Sequence, residues 1–174
     1  MLSALHIRND YSGLAVYWHL VEAVDGLVIQ QKVLTAVRKP GREGRNRPAF
    51  LTPGSEVEYS TKWSRLYRVF FMRKLHAAYD QLLRLVSLDG VTLVHAHTLY
   101  SDGALAYRRY RKRHLPYVAT VRSTDVNLYA PKMLHLRALG WDIPLHAVAL
   151  IVTSPPCSPR FLKCCPLLAT GFAA

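Results

Sequence analysis

Two rhythms of apolar residues run along the chain. Short apolar or β-branched runs at Leu2–Ile7, Val28–Val37, Val91–Val94, Pro116–Val121 and Ala149–Thr153 read as strands. Between them, apolar residues recur near the helical period of 3.6. Leu14, Tyr17, Leu20, Val21 and Val24 predict a helix that Gly26 ends. Thr61–Val86 predicts the longest helix, with Trp63, Leu66, Phe70, Leu75, Tyr79, Leu82 and Val86 along one stripe. Ala104–His114 is a third helix. A fourth starts at Pro131, suited to a first turn, and runs to Gly140; Ile143–Val148 reads as a connecting segment. Strands and helices alternate from residue 2 to residue 153. That alternation predicts an α/β fold with a mainly parallel sheet and helices on both faces.

Two stretches break the rhythm. Arg38–Ser60 holds Pro40, Gly41, Gly44, Pro48, Pro53 and Gly54 and reads as a long loop, basic in its first half. Cys157–Ala174 has little charge and no amphipathic period. The expected organisation is therefore one domain over residues 1–156 and an atypical tail over 157–174, as in a truncated or frame-shifted chain.

Charge adds a constraint on partners. The chain has 174 residues and a formal charge of +12, which favours anionic partners: phosphorylated small molecules, acidic lipid or nucleic acid. The basic residues of 61–86 fall largely off the apolar stripe. That helix is expected to pack on the sheet with a solvated basic face; contact with a membrane surface is the alternative. Tyr107–Arg113 interleaves tyrosines with five basic residues, a pattern that nucleic-acid-binding patches share. The three cysteines lie near the C-terminus without C-x-x-C spacing and fit a reducing compartment. No apolar run reaches the roughly 20 residues of a membrane-spanning helix. The expected location is cytoplasmic, with a peripheral place on the inner membrane face open.

The candidate chemistry sits where strands end. Asn9–Gly13 follows the first strand, with Ser12 placed to cap the next helix. It lacks the G-x-G-x-x-G fingerprint of dinucleotide sites. His95-Ala96-His97-Thr98-Leu99-Tyr100-Ser101-Asp102-Gly103 follows the third strand, and Arg122-Ser123-Thr124-Asp125 the fourth. Ligands of open α/β sheets bind beyond the carboxyl ends of strands, which makes these clusters the candidate site. His95 and His97, two apart, would share a strand face, but zinc needs three or four ligands and no metal is expected. Asp102 is placed to cap the helix that begins near Ala104.

Two families resemble this text. The string His95–Gly103 is similar to the first metal motif of PHP-type phosphoesterases. Where that family continues with Thr-Asp-His, this chain reads Thr124-Asp125-Val126. The fuller resemblance, over about residues 4 to 155, is to the N-terminal half of GT-B glycosyltransferases of the group 1 superfamily. It rests on Asn9–Gly13, His95–Gly103, Pro116-Tyr117-Val118, Thr120–Asp125 and Ile151-Val152-Thr153-Ser154-Pro155.

That resemblance implies a Rossmann-like, three-layer acceptor domain. The implied reaction moves a sugar from a nucleotide-sugar donor, with retention, to a cell-surface polysaccharide or lipid-linked glycan precursor, without a further cofactor. It implies that His97, or His95, approaches the transferred sugar and that Asp125 orients an acceptor hydroxyl. Ser12 and Gly13 would border donor phosphates or acceptor; Asp102, Arg122 and Thr124 would line the cleft. The family's donor half carries two glutamates seven residues apart. The four here, Glu22, Glu43, Glu56 and Glu58, show no such pair. The expectation is a chain without the donor half and, alone, with negligible transferase activity. A metal-dependent phosphoesterase and a non-catalytic basic module on anionic membrane or nucleic acid are the alternatives.

Overall fold

The computed structural model describes residues 2–9, 15–27, 29–37, 48–60, 70–155 and 157–164. The fold is α/β, a six-stranded parallel sheet flanked by helices, with strand order β3-β2-β1-β4-β5-β6. This is the order of doubly wound nucleotide-binding sheets. The order is open, with β3 and β6 at its ends. The chain divides into two compact units, Met1–Val94 and His95–Ala174.

In the first unit, β1 (Ser3–Asn9) and β2 (Gln30–Ala36) pair in parallel, with Ser3 opposite Gln30 and Asn9 opposite Ala36. Parallel pairing needs a crossover, supplied by α1 (Ala15–Asp25). Tyr17 and Val21, one turn apart, bury against Val33 and Val57. The Gln31 amide is fully buried and donates to the Val21 carbonyl at 2.9 Å, fixing α1 against β2. Helix α2 (Phe71–Leu85) buries Phe71, Leu75, Ala78, Tyr79 and Leu82. Its apolar stripe therefore serves packing, as expected of a helix on a sheet. The residues at 61–69, assigned to this helix from sequence, lie outside the described residues, as do Ser12 and Gly13.

The stretch assigned as loop up to Ser60 contains a strand, β3 (Glu56–Ser60), paired in parallel with β2. Its alternation, with Val57 buried between half-buried glutamates, is a period-two signal hidden beside Pro53 and Gly54. Gly54 adopts a φ of +79° at the turn before it, and the Gln30 side chain donates to its carbonyl at 3.0 Å.

The second unit holds the α3 (Ser101–Arg113), β5 (Tyr117–Val121) and β6 (Ala149–Val152) succession, with β5 and β6 parallel. Strand β4 (Leu93–Ala96) spans the boundary between the units. It begins two residues later than its apolar run because Asp89-Gly90 makes a turn. Gly90 sits at φ +74°, and the Val91 amide bonds back to Leu88.

After β5 the chain makes a π turn (Asp125–Tyr129), the short α4 (Ala130–Lys132), a 3-10 turn (Leu134–Leu136) and α5 (Arg137–His146). Gly140 does not end a helix, as the sequence suggested; it lies inside α5. A Cβ there would come within 2.6 Å of the Tyr100 hydroxyl, so the position has room only for glycine. The segment 143–148 is mostly helix and carries Pro144 within α5. The tail is also partly helical: α6 (Cys157–Cys164) buries Cys157 and Phe161, spaced i and i+4. Residues 165–174 lie outside the described residues. Among those described, no helix is long and apolar enough to cross a membrane.

Candidate active site

The second unit gathers the polar clusters at the carboxyl ends of β4 and β5. Strand β4 buries Val94 and Ala96 and turns Leu93 and His95 to the other face, half buried. His97 stands one residue beyond the strand and keeps its phase. The His95 and His97 rings lie 4.0 Å apart between centroids, tilted by 33°. The pair therefore shares a face, as period-two spacing predicts, and could supply two imidazole ligands to a metal ion. His95 Nε2 is 2.9 Å from Thr120 Oγ1, and the hydroxyl can either donate or accept there. His97 is buried, with only 3% exposure.

The loop that follows is tied down from two directions. Thr98 Oγ1 accepts the Asp102 amide at 3.2 Å and Thr98 O accepts the Gly103 amide at 2.9 Å. Those two bonds start α3 at Ser101, three residues before the expected Ala104. Asp102 is thus a buried residue of the first helical turn and not a cap. Its carboxylate is favourably placed in the positive field of the helix N-terminus. Five arginine or lysine residues lie in the last six positions of α3, where the dipole favours cations.

The second tie is Asp125. Its carboxylate is 98% buried and accepts three backbone amides: Arg122 at 2.9 Å, Leu99 at 3.2 Å and Tyr100 at 3.5 Å. One side chain on the β5 end thus holds the loop after His97. Burial pushes the Asp125 carboxyl above its ordinary range, and the three amides and Arg122 pull it back part of the way. The backbone repays the contact, since the Asp125 amide donates to the Arg122 carbonyl at 2.9 Å. Arg122 is half buried beside this knot and Thr124 is exposed. The adjoining π turn is a geometry frequent at functional sites.

The structure therefore pairs His95 with His97, and ties Asp125 to Arg122 and to the loop that follows His97. Asp102 is buried in the first turn of α3, and Thr124 is exposed next to Asp125 in the chain. Ser12 and Gly13 lie outside the described residues. Sequence reasoning missed Thr120, the partner of His95. Its signal was an aliphatic hydroxyl inside the strand run Tyr117-Val118-Ala119-Thr120-Val121. It also missed Tyr100, which stacks on Tyr129 with centroids 5.3 Å apart and wedges against Gly140.

The fold is a Rossmann-like α/β unit, with polar residues collected at the carboxyl ends of its strands. No family model and no curated protein matches the chain. Among solved structures it is similar to the Arabidopsis thaliana UDP-glycosyltransferase UGT89C1, crystallised in complex with UDP. The likeness has a TM-score of 0.57 at 12% identity. It covers 98% of this chain and 49% of that one, so the chain spans about half the length of that structure. At this identity the likeness establishes the fold.

Proposed function

We propose that the chain is the acceptor-side domain of a GT-B glycosyltransferase that moves a sugar from a nucleotide donor to a glycan acceptor. The observation that carries this reading is the likeness, along nearly the whole chain, to a UDP-complexed glycosyltransferase. The acceptor in this reading is a cell-surface polysaccharide or glycan precursor, and the anomeric configuration is retained.

His97 is the residue assigned to the sugar. Imidazole both donates and accepts hydrogen bonds, which suits contact with a hydroxyl at the reacting carbon. His95, held by Thr120, packs against His97 and sets its ring plane. Asp125 acts through the loop, orienting the segment from Thr98 to Ser101 on which an acceptor hydroxyl would rest. Asp102, Arg122 and Thr124 line the cleft, and Ser12 and Gly13 border the donor phosphates or the acceptor. The nucleotide sugar is a co-substrate, and no further cofactor is assigned.

The test is saturation-transfer NMR on the purified chain with UDP, UDP-sugars and a panel of oligosaccharides. The expected result is a saccharide signal that weakens at least about tenfold in His97→Asn while the melting temperature holds. Absence of binding to every saccharide and UDP-sugar would overturn the reading.

A further inference from the structure

The second unit carries a charge asymmetry that sugar transfer does not explain. Residues 95–164 contain ten lysines and arginines and three acids, Asp102, Asp125 and Asp142. Asp102 and Asp125 are buried at 3% and 2% exposure. Asp142 is therefore the one acid with appreciable solvent contact among the described residues of this unit. The basic residues concentrate at the C-terminal end of α3, where Arg111, Lys112 and Arg113 are all exposed.

Helix α5 packs on α3. Ile143 approaches Gly103, and the His146 ring lies 5.2 Å from that of Tyr107 and 5.7 Å from that of Tyr110. Those contacts use one side of α5. Trp141 and Leu145, one turn apart, lie off that side and are 43% and 45% exposed. Val148, in the extended segment past the helix end, is 64% exposed. One packed helix pair thus carries a cationic helix end and two exposed apolar residues one turn apart, Trp141 and Leu145.

We propose that this helix pair docks on a bilayer that contains anionic phospholipid. Cationic side chains on the same helix pair as an exposed aromatic and an exposed aliphatic residue supply the two components of an interfacial site, headgroup charge and acyl boundary. Nucleic acid fits less well. The tyrosines that make the sequence look like a nucleic-acid patch are turned inward. Tyr107 is 8% exposed, and Tyr110 packs edge-on against His114 and Tyr117. Neither ring is left to stack on bases. The proposal stands independently of the sugar-transfer reading.

The test is co-sedimentation of the full chain with vesicles of phosphatidylcholine alone and with about 30% phosphatidylglycerol, across a salt series. The expected result is binding to the anionic vesicles only. Arg111→Gln, Lys112→Gln and Arg113→Gln together weaken it roughly a hundredfold, since each basic residue near the surface contributes about a factor of five. Trp141→Ser with Leu145→Ser removes the part of the binding that survives high salt. Unchanged circular dichroism melts show that both variants fold. Equal binding to neutral vesicles, no binding to anionic ones, or binding insensitive to both variants would overturn the proposal. Tighter binding to a DNA or RNA oligonucleotide, lost in the same triple variant, would overturn it in favour of nucleic acid.

Discussion

Replacing Asp125 separates the scaffold of the site from its chemistry. Two of the three accepted amides, from Arg122 at 2.9 Å and Leu99 at 3.2 Å, go to Oδ2. The third, from Tyr100 to Oδ1 at 3.5 Å, is long enough to add little. Asp125→Ala leaves both Oδ2 partners buried without an acceptor. Each such amide costs about 1–3 kcal/mol, and relief from burying a charge offsets part of the sum, so the expected loss is about 2–4 kcal/mol. Asp125→Asn can put its carbonyl oxygen where Oδ2 stood and keep both short bonds, at a cost of about 1 kcal/mol or less at neutral pH. The assay is urea denaturation with hydrogen exchange at the amides of Leu99, Tyr100 and Arg122. The alanine variant should speed exchange at those amides selectively, and the asparagine variant should not.

The pH dependence of the same pair has a definite sign. Burial raises the folded carboxyl above its ordinary value of 3.8. The folded state therefore holds this proton more tightly than the unfolded state. The stabilisation from protonation is complete below 3.8 and is lost as pH rises through the folded value. Wild type minus Asp125→Asn stability should fall over that window and then level off. An alanine variant within about 0.5 kcal/mol of wild type, with unchanged exchange, would refute the clamp.

Three further outcomes follow from single contacts. Gly140→Ala gains about 1 kcal/mol of helix propensity but drives its Cβ to 2.6 Å from the Tyr100 hydroxyl. Overpacking at about 1–3 kcal/mol should win, giving a net loss that calorimetry shows shrinking in a Tyr100→Phe background. Asp25 accepts the amides of Leu51 at 2.6 Å and Thr52 at 3.2 Å, and the Leu51 bond chiefly holds its carboxyl below 3.8. Its stabilisation is present above 3.8 and lost as pH falls through the lower folded value. Asp25→Ala should therefore lower the urea midpoint at neutral pH and flatten its decline in acid. Tyr117, fully buried, donates its hydroxyl to the Ile143 carbonyl, and burial first of all pushes its ionisation above the usual value of 10. It remains a donor through neutral pH, so Tyr117→Phe should cost about 1–2 kcal/mol by urea denaturation.

The fold was legible where one period dominates a segment. The β1, β2 and β5 runs, the Tyr17-Val21 stripe and the Leu75-Tyr79-Leu82 stripe all match their buried faces. It was not legible where a short element sits beside breakers. β3 follows Pro53-Gly54, and α6 follows Pro155-Pro156 with only Cys157 and Phe161 to mark its face. Gly140 read as a stop because glycine usually ends helices, whereas here it admits the Tyr100 ring, a contact from 40 positions away. The shared face of His95 and His97 was legible, being local. The roles of Thr120 and Asp125 were not, because their partners lie about 25 residues away and include backbone amides, which no side-chain pattern records.

The claim that this chain handles sugar at His97 is tested most directly by titrating it with glycans from an array and repeating the titration with His97→Asn. The account predicts a carbohydrate ligand whose affinity falls at least about tenfold in the variant, with the fold intact by circular dichroism. A chain that binds no carbohydrate and no nucleotide sugar, or one whose bound glycan is indifferent to His97, would contradict it.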